Sequence, residues 1–505
     1  MMIKKGFDNQ RYLEKQTQAI LERMEKFHGK LYLECGGKLL YDYHAARVLP
    51  GFDPNVKIEV FKKLKDKIDV IICIYAGDIE RKKIRGDFGI TYDVDTLKMI
   101  DDFSNYGLRV KAVVITRYEE QPSATQFKQL LERRGISVYT HKKTKGYPTD
   151  IDLIVSEEGY GANSYIETDR EIVIVTAPGP GSGKLATCLS QLYHDHQRGL
   201  DSGYAKFETF PVWDLSLNHL TNVAYEAATA DLGDINRIDH FHLEAYGKTS
   251  INYNRDLDAF PLLKRIIEKI TKKKSFYKSP TDMGVNRIAQ GIIDDEICQE
   301  ASKQEIIRRY YRSSCEYAMG FGTKEAVDKE ILLMEDYNIK LTDRSVVSAA
   351  KSKREEGLEL KKGSGGIVSA AALKLSNDNI ITALNSELLH SSSALILNAI
   401  KTLAGIPDEI DLIPKSIVES IKKMKQELLK SNRVSLDVDE VLIALAVSAA
   451  SNPAAEAGMK YLSKLSGTDA HLTHIPTSGD EAGLRKLGIN VTSEPKYASK
   501  QLFNA

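Results

Sequence analysis

The sequence predicts a multidomain α/β protein. It should have an N-terminal doubly wound, mostly parallel sheet with a P-loop-like glycine turn, a helical middle domain and a C-terminal α/β domain. Three observations lead there. Short apolar runs alternate with amphipathic stretches over residues 8–184, the signature of βαβ units. From about residue 217 the apolar residues recur at helical spacing instead. Beyond a glycine-marked break at 357–366, strand-like and helix-like runs mix again. The expected domains are therefore 1–216, 217–345 and 346–505.

Residues 8–27 have a helical pattern, with Tyr12, Ile20, Met24 and Phe27 near one face. Leu31 to Cys35 reads as a strand running into Gly36-Gly37, and Asp69 to Tyr75 as a second strand. Helix 94–106 closes at Gly107, strand 110–116 follows, and helix 123–134 closes at Gly135. Further strands are expected at 136–139, 151–155 and 171–176. In the middle part, helices are expected at 217–231, 234–247, 256–273, 284–300, 302–319 and 323–336. The last part should hold a hairpin of 371–375 with 380–384, joined by Ser376-Asn-Asp-Asn379. Helices 391–404, 415–430, 437–450 and 453–465 and strands 470–474 and 489–492 complete it.

Composition excludes several classes. The chain of 505 residues is 42% hydrophobic and 28% charged, an ordinary globular balance. Seventy basic and seventy acidic residues cancel, so the total charge predicts neither a nucleic-acid nor a membrane partner. The five cysteines are widely spaced and form no C-x-x-C pair, which fits a reducing, cytoplasmic setting. Neither a signal peptide nor an apolar run of membrane-spanning length is expected.

The richest segment is Glu171-Ile-Val-Ile-Val-Thr-Ala-Pro-Gly-Pro-Gly-Ser-Gly-Lys184. It reads as strand, glycine turn and helix start, the geometry of a phosphate cradle. Gly179, Gly181, Ser182, Gly183, Lys184 and Thr187 are the candidate binding residues, with Lys184 neutralising charge. The match to G-x-x-x-x-G-K-[ST] is partial. Pro178 stands five before Gly183, and Leu185 replaces the magnesium-binding hydroxyl. Thr187 is displaced around the helix at about 100° per residue. The loop also comes after several βα units rather than after the first strand.

Ligands of open α/β sheets sit at the carboxyl ends of the strands. That rule collects Gly36-Gly37, Ala76-Gly77-Asp78, Thr116-Arg117, Glu157-Glu158 and the 179–184 loop at one edge. Glu157, expected to follow a strand, is the candidate metal-side or water-positioning carboxylate, and with Lys184 it forms the candidate catalytic pair. Asp78 and Asp87 are lesser candidates; Asp87-Phe-Gly89 lacks the other kinase signatures. The histidine pairs His194/His196, His240/His242 and His471/His474 do not spell H-E-x-x-H, so no protein-held metal is expected.

Four phrases connect these features to a family: Lys83-Ile-Arg-Gly-Asp-Phe-Gly-Ile-Thr-Tyr92, Thr176 to Lys184, Ser279-Pro-Thr-Asp-Met-Gly-Val-Asn286 and Ser451-Asn-Pro-Ala-Ala455. Together they resemble UPF0371, a bacterial family of about 500 residues with no established activity, across essentially the whole chain. The resemblance implies a bacterial cytosolic protein of several domains and transfers no catalytic residue. Labels within the family hint at an ATP-dependent zinc peptidase, whose zinc motif is missing here. The functional expectation is binding of a nucleotide or small phosphorylated molecule, as a phosphotransferase or NTPase, with a nucleotide and Mg as the candidate cofactors. The alternative is a non-catalytic, homo-oligomeric ligand-binding or scaffold protein with a structural glycine loop.

Overall fold

Long β-branched and leucine-rich runs with no polar alternation suit strands buried on both faces. The computed structural model, which describes residues 5–86, 88–431 and 434–499, puts them in one parallel sheet. Its strands are β1 (Leu31–Cys35), β2 (Ile68–Tyr75), β3 (Arg109–Thr116), β4 (Val138–His141), β5 (Ile172–Thr176), β6 (Gly203–Phe207) and β7 (Gly284–Val285). The spatial order is β7-β6-β1-β5-β2-β3-β4, seven strands in all. β5 lies in the middle: Ile174 pairs with Leu33 of β1 on one side and Val70 of β2 on the other. From β2 the chain moves outward through β3 to β4; from β5 it moves the other way to β6. Ligands of open parallel sheets gather where neighbouring strands diverge in this manner.

Helices α1 (Asn9–Met24), α2 (Tyr92–Asn105), α3 (Pro122–Arg133), α4 (Lys184–Gln197) and α5 (Asn254–Thr271) surround this sheet in the sequence. Cys188, Leu189 and Leu192 of α4 join Leu263, Ile266 and Ile267 of α5 in one cluster with Val173 and Val175 of β5. The chain forms two compact units. One holds the sheet, running to Glu226 and including Asp234–Ser302; the other holds Lys303 onward with Ala227–Gly233. The second unit has its own sheet of β8 (Ala370–Lys374), β9 (Ile380–Leu384), β10 (Asp469–Leu472) and β11 (Asn490–Ser493), in the order β9-β8-β10-β11. The expected hairpin is there, with Ala372 opposite Thr382. Among the described residues no helix is long and apolar enough to cross a membrane.

Several expected elements differ. Residues 151–155, expected as a strand, form a short helix, Ile151–Ile154. Asp150 is the cause: its carboxylate accepts the Leu153 N–H at 3.0 Å and caps a helical turn. The expected helix 234–247 splits into a strand, Asn236–Ile238, and a helix, His240–Tyr246, started by Asp239, which accepts from the His242 N–H. Residues 284–300 and 302–319 do not make two helices. The first part supplies β7 and a single 3₁₀ turn, and one helix then runs from Asp295 to Ala318. Strand β6 and the helices Tyr43–Val48 and Val56–Lys63 were not expected at all.

In the second unit the carboxylate of Asp480, in the first turn of the helix Ser478–Lys486, meets the N-termini of two other helices. Asp480 accepts from Ser392 Oγ at 2.6 Å, from the Val438 N–H at 3.2 Å and from His390 Nδ1 at 2.7 Å. Burial works against the His390 cation, but the Asp480 bond and charge, helped by Asp437, outweigh it and raise its pKa. A raised histidine adds stability that is complete below its unfolded pKa of 6.5 and fades as pH climbs through the folded value. The stability of this unit to urea should therefore fall as pH rises above about 6.5, and His390→Gln should flatten that dependence. In the sheet, Ile174→Ala should lower stability by about 3 kcal/mol, read from the urea midpoint; a loss under about 1 kcal/mol would mean that β5 is not central.

Candidate functional site

Strand β5 is buried along its whole length and must leave the sheet at Thr176. The chain then has seven residues, 177–183, in which to reverse and begin α4. Two glycines make this possible. Gly181 has φ 71° and Gly183, the residue capping α4, has φ 85°, a region L side chains avoid. A Cβ on Gly181 would meet open space, whereas one on Gly183 would come within 2.9 Å of the Thr116 methyl at the end of β3. Gly179 is pressed against the ring of Tyr92, with no room for a Cβ.

Four of the loop's carbonyls are engaged. Ser182 Oγ donates to the Gly179 carbonyl at 2.8 Å. Thr116 Oγ1 donates to the Ser182 carbonyl at 2.8 Å, and the Arg117 guanidinium to the Gly181 carbonyl. Arg117 is itself stacked on Tyr75, 3.3 Å from the ring centroid. The Gly183 carbonyl takes the first helical bond, from the Thr187 N–H. The loop's N–H groups show the opposite state. Among the described residues the amides of Gly179, Gly181, Ser182 and Gly183 donate to no protein acceptor. The first-turn amides of α4 add donors that helix geometry leaves unpaired. With these four carbonyls engaged, the loop keeps a set of unpaired amides beside a helix N-terminus, an arrangement that suits an anion.

Lys184 is half-buried at that N-terminus and makes no hydrogen bond or ion pair among the described residues. Its charge reaches three buried thiols. Burial pushes the Cys73 thiol up to about 12, against the opposing Thr187 bond and Lys184. Cys35, at the end of β1, and Cys188 are raised likewise, with Lys184 again opposing. The ammonium thus serves the floor formed by β1, β2 and α4.

The other sequence-derived candidates separate into two groups. Gly179, Gly181, Ser182, Gly183 and Lys184 converge at the loop. Thr187 lies beneath it, fully buried, with its hydroxyl accepting from the Cys73 thiol at 3.4 Å. Leu185 packs into the core. Glu157 follows a helix rather than a strand and is exposed, and its carboxylate accepts from Tyr193 Oη at 2.9 Å. Tyr193 is nine residues along α4 from Lys184, a rise of about 13 Å, so Glu157 stands away from the cradle. Glu158 is exposed and pairs with Lys145 at 2.8 Å. Asp78, just past β2, is buried and paired with Arg81. Asp87 lies outside the described residues. Among the described residues no three His, Cys, Asp or Glu side chains gather as metal ligands.

Sequence reasoning missed Tyr92. Burial chiefly, with Asp78 adding and Arg85 opposing, pushes its phenol up to about 12. Near it, a cavity of about 20 Å³ reaches Thr176 and Ala177 and is walled by Lys38, Arg85 and Asp95. That space holds about one water. The loop itself is open to solvent at Pro180 and Gly181, so an anion would bind on its outer face.

Two family models match the chain: Domain of unknown function DUF1846, N-terminal, over residues 5–338, and Domain of unknown function DUF1846, C-terminal, over residues 342–503. The chain is 56% identical over 501 residues to a UPF0371 protein of Clostridium botulinum (strain Eklund 17B / Type B), covering 99% of both. It is similar at 56% over 503 residues to a UPF0371 protein of Clostridium tetani, again covering 99% of each chain. A UPF0371 protein of Clostridium botulinum (strain Kyoto / Type A2) is 57% identical over 500 residues and 99% of each chain.

The two left-handed glycines should respond differently to substitution. Gly181→Ala should cost about 1 kcal/mol, the backbone term alone. Gly183→Ala should cost about 1–3 kcal/mol more, since it must also displace Thr116. Chemical denaturation of the two variants side by side measures the difference; equal losses would mean that Thr116 does not brace the loop.

Proposed function

We propose that this chain, which belongs to the UPF0371 family, binds a nucleotide or a small phosphorylated molecule on the outer face of the 179–184 loop. The observation that carries the reading is the division of labour in the loop. Its carbonyls are held by Ser182, Thr116 and Arg117, while the amides of Gly179, Gly181, Ser182 and Gly183 are left without acceptors next to an unpaired Lys184. Amide donors without a protein acceptor, a helix N-terminus and an ammonium without an ion pair together favour a phosphate group.

Magnesium-dependent turnover has less support than binding. Leu185 and Thr187, the residues nearest the usual hydroxyl position, face the core and the Cys73 thiol. Glu157 is tied to Tyr193 and Asp78 to Arg81. A phosphotransferase or NTPase activity would need its metal-side carboxylate from another part of the edge. All five cysteines are free and buried, which supports a reducing, cytoplasmic location. A homo-oligomer also has one observation in its favour. Ile443 and Val447, four residues apart on the helix Val438–Ala449, are 68% and 60% exposed on one face.

The test is ligand-induced thermal stabilisation of wild type and Lys184→Ala with ADP, ATP and inorganic phosphate. Wild type should gain about 2.7 kcal/mol with ligand at one hundred times its Kd. Lys184→Ala should lose that gain while keeping its ligand-free melting temperature. Identical gains in both proteins, or none in wild type, would overturn the assignment.

A further inference from the structure

The carboxyl edge of the sheet holds a second charged feature. Lys206, near the end of β6, lies 2.8 Å from Glu208 Oε1 and 2.8 Å from Asp256 Oδ2. All three side chains are less than one-fifth exposed. Glu34 of β1 accepts from Tyr204 Oη at 2.7 Å, and its charge also reaches Lys206. Burial works against the Lys206 ammonium, but Asp256, Glu208 and Glu34 outweigh it and hold its pKa above the lysine range. One ammonium thus serves three carboxylates, an excess of buried negative charge that folding alone does not favour.

A separate observation points to something missing. Tyr253, the residue before α5, is 4% exposed, and its hydroxyl has no hydrogen-bond partner. Its ring is fixed by stacking on Tyr225, which stacks on Phe210. The phenol lies in the field of Glu208 and Asp256, and burial, then Tyr225 and these carboxylates, raises its pKa. A buried hydroxyl whose ring is fixed by stacking, three residues before Asp256, is a place for a group that both gives and takes hydrogen bonds.

The position relative to the glycine loop is set by register. Phe207 pairs with Cys35 at the end of β1, and a Cβ on the next residue, Gly36, would meet Glu208 Oε1 at 2.9 Å. The Glu208 carboxylate therefore rests on the backbone leaving β1. Lys184 acts on Cys35 from the β5 side. β6 and β5 flank β1, so their ends are on the order of 10 Å apart at the usual strand spacing. A sugar phosphate spans a gap of that size.

We propose that Lys206, Glu208, Tyr253 and Asp256 are the second half of the binding site and hold the hydroxyl-bearing sugar of a ligand whose phosphate occupies the glycine loop. The proposal rests on the phosphate reading and names its substrate class: sugar phosphates, including the ribose phosphate of a nucleotide. The carboxylates of Glu208 and Asp256 accept from sugar hydroxyls, while Lys206 and Tyr253 donate to them. Burial chiefly pushes the Glu208 carboxyl up to about 7, with Lys206 opposing and Asp256 and Glu34 adding. Tyr204, Tyr225 and Tyr253 complete the groups in its field.

Isothermal titration with ribose 5-phosphate and with inorganic phosphate tests this. Wild type should bind ribose 5-phosphate at least about tenfold more tightly than phosphate. Glu208→Gln should erase that advantage and leave phosphate affinity unchanged within about twofold. Tyr253→Phe, which keeps the stacked ring and removes only the unpartnered hydroxyl, should reduce the advantage by several-fold and guards against a folding defect in the first variant. Phosphate binding with no preference for ribose 5-phosphate, or a preference that both variants keep, would overturn the sugar half alone. Failure of wild type to bind either compound would overturn the phosphate reading and this one with it.

Discussion

The site depends on one steric fit: Gly183 against Thr116. The chain leaving the central strand has to enter a left-handed conformation and pass the end of β3 before α4 can begin. Only a residue without a Cβ can do both. Once it has turned, the hydroxyl of Thr116 holds the Ser182 carbonyl, Ser182 holds Gly179, and Arg117 holds Gly181. With those carbonyls engaged by side chains, the amides of Gly179, Gly181, Ser182 and Gly183 are left without a protein acceptor among the described residues. The unpaired amides on which the proposed phosphate site rests are thus a consequence of how the core closes beneath the loop.

The same edge gathers charge from both sides of β1. Lys184 approaches from β5 and Glu208 from β6, and between them lie the thiol of Cys35 and the backbone of Gly36. A positive feature and a predominantly negative one, separated by one strand, suit a ligand with an anionic end and a hydroxylated end. In the C-terminal unit one buried carboxylate is used internally. There Asp480 supplies the anion to the helix starting at Val438 and to Ser392 and His390 at the start of another, so those N-termini are already occupied.

Much of this was legible in the sequence because buried parallel strands leave unmistakable apolar runs. Ile68–Tyr75, Arg109–Thr116 and Ile172–Thr176 needed no tertiary information. The glycine turn and its lysine were equally plain. What failed was local capping and mixed polarity. Asp150 converts an apolar pentad into a helical turn, and Asp239 cuts a helical pattern short. Gly203–Phe207 carries a lysine next to its last residue and did not read as a strand, although Lys206 is part-buried and paired with Glu208 and Asp256. Missing that strand concealed Glu208, and misreading 151–155 sent the search for a carboxylate to Glu157. The signal that could have found Glu208 was positional: an acidic residue directly after a short run of tyrosine, alanine and phenylalanine.

The most direct measurement of the central claim is a crystal structure grown with inorganic pyrophosphate. The account predicts density for the anion within about 3 Å of the Gly181, Ser182 and Gly183 amide nitrogens and of Lys184 Nζ. Density elsewhere, or a loop whose amides have turned to bond neighbouring carbonyls while Lys184 points away, would contradict it.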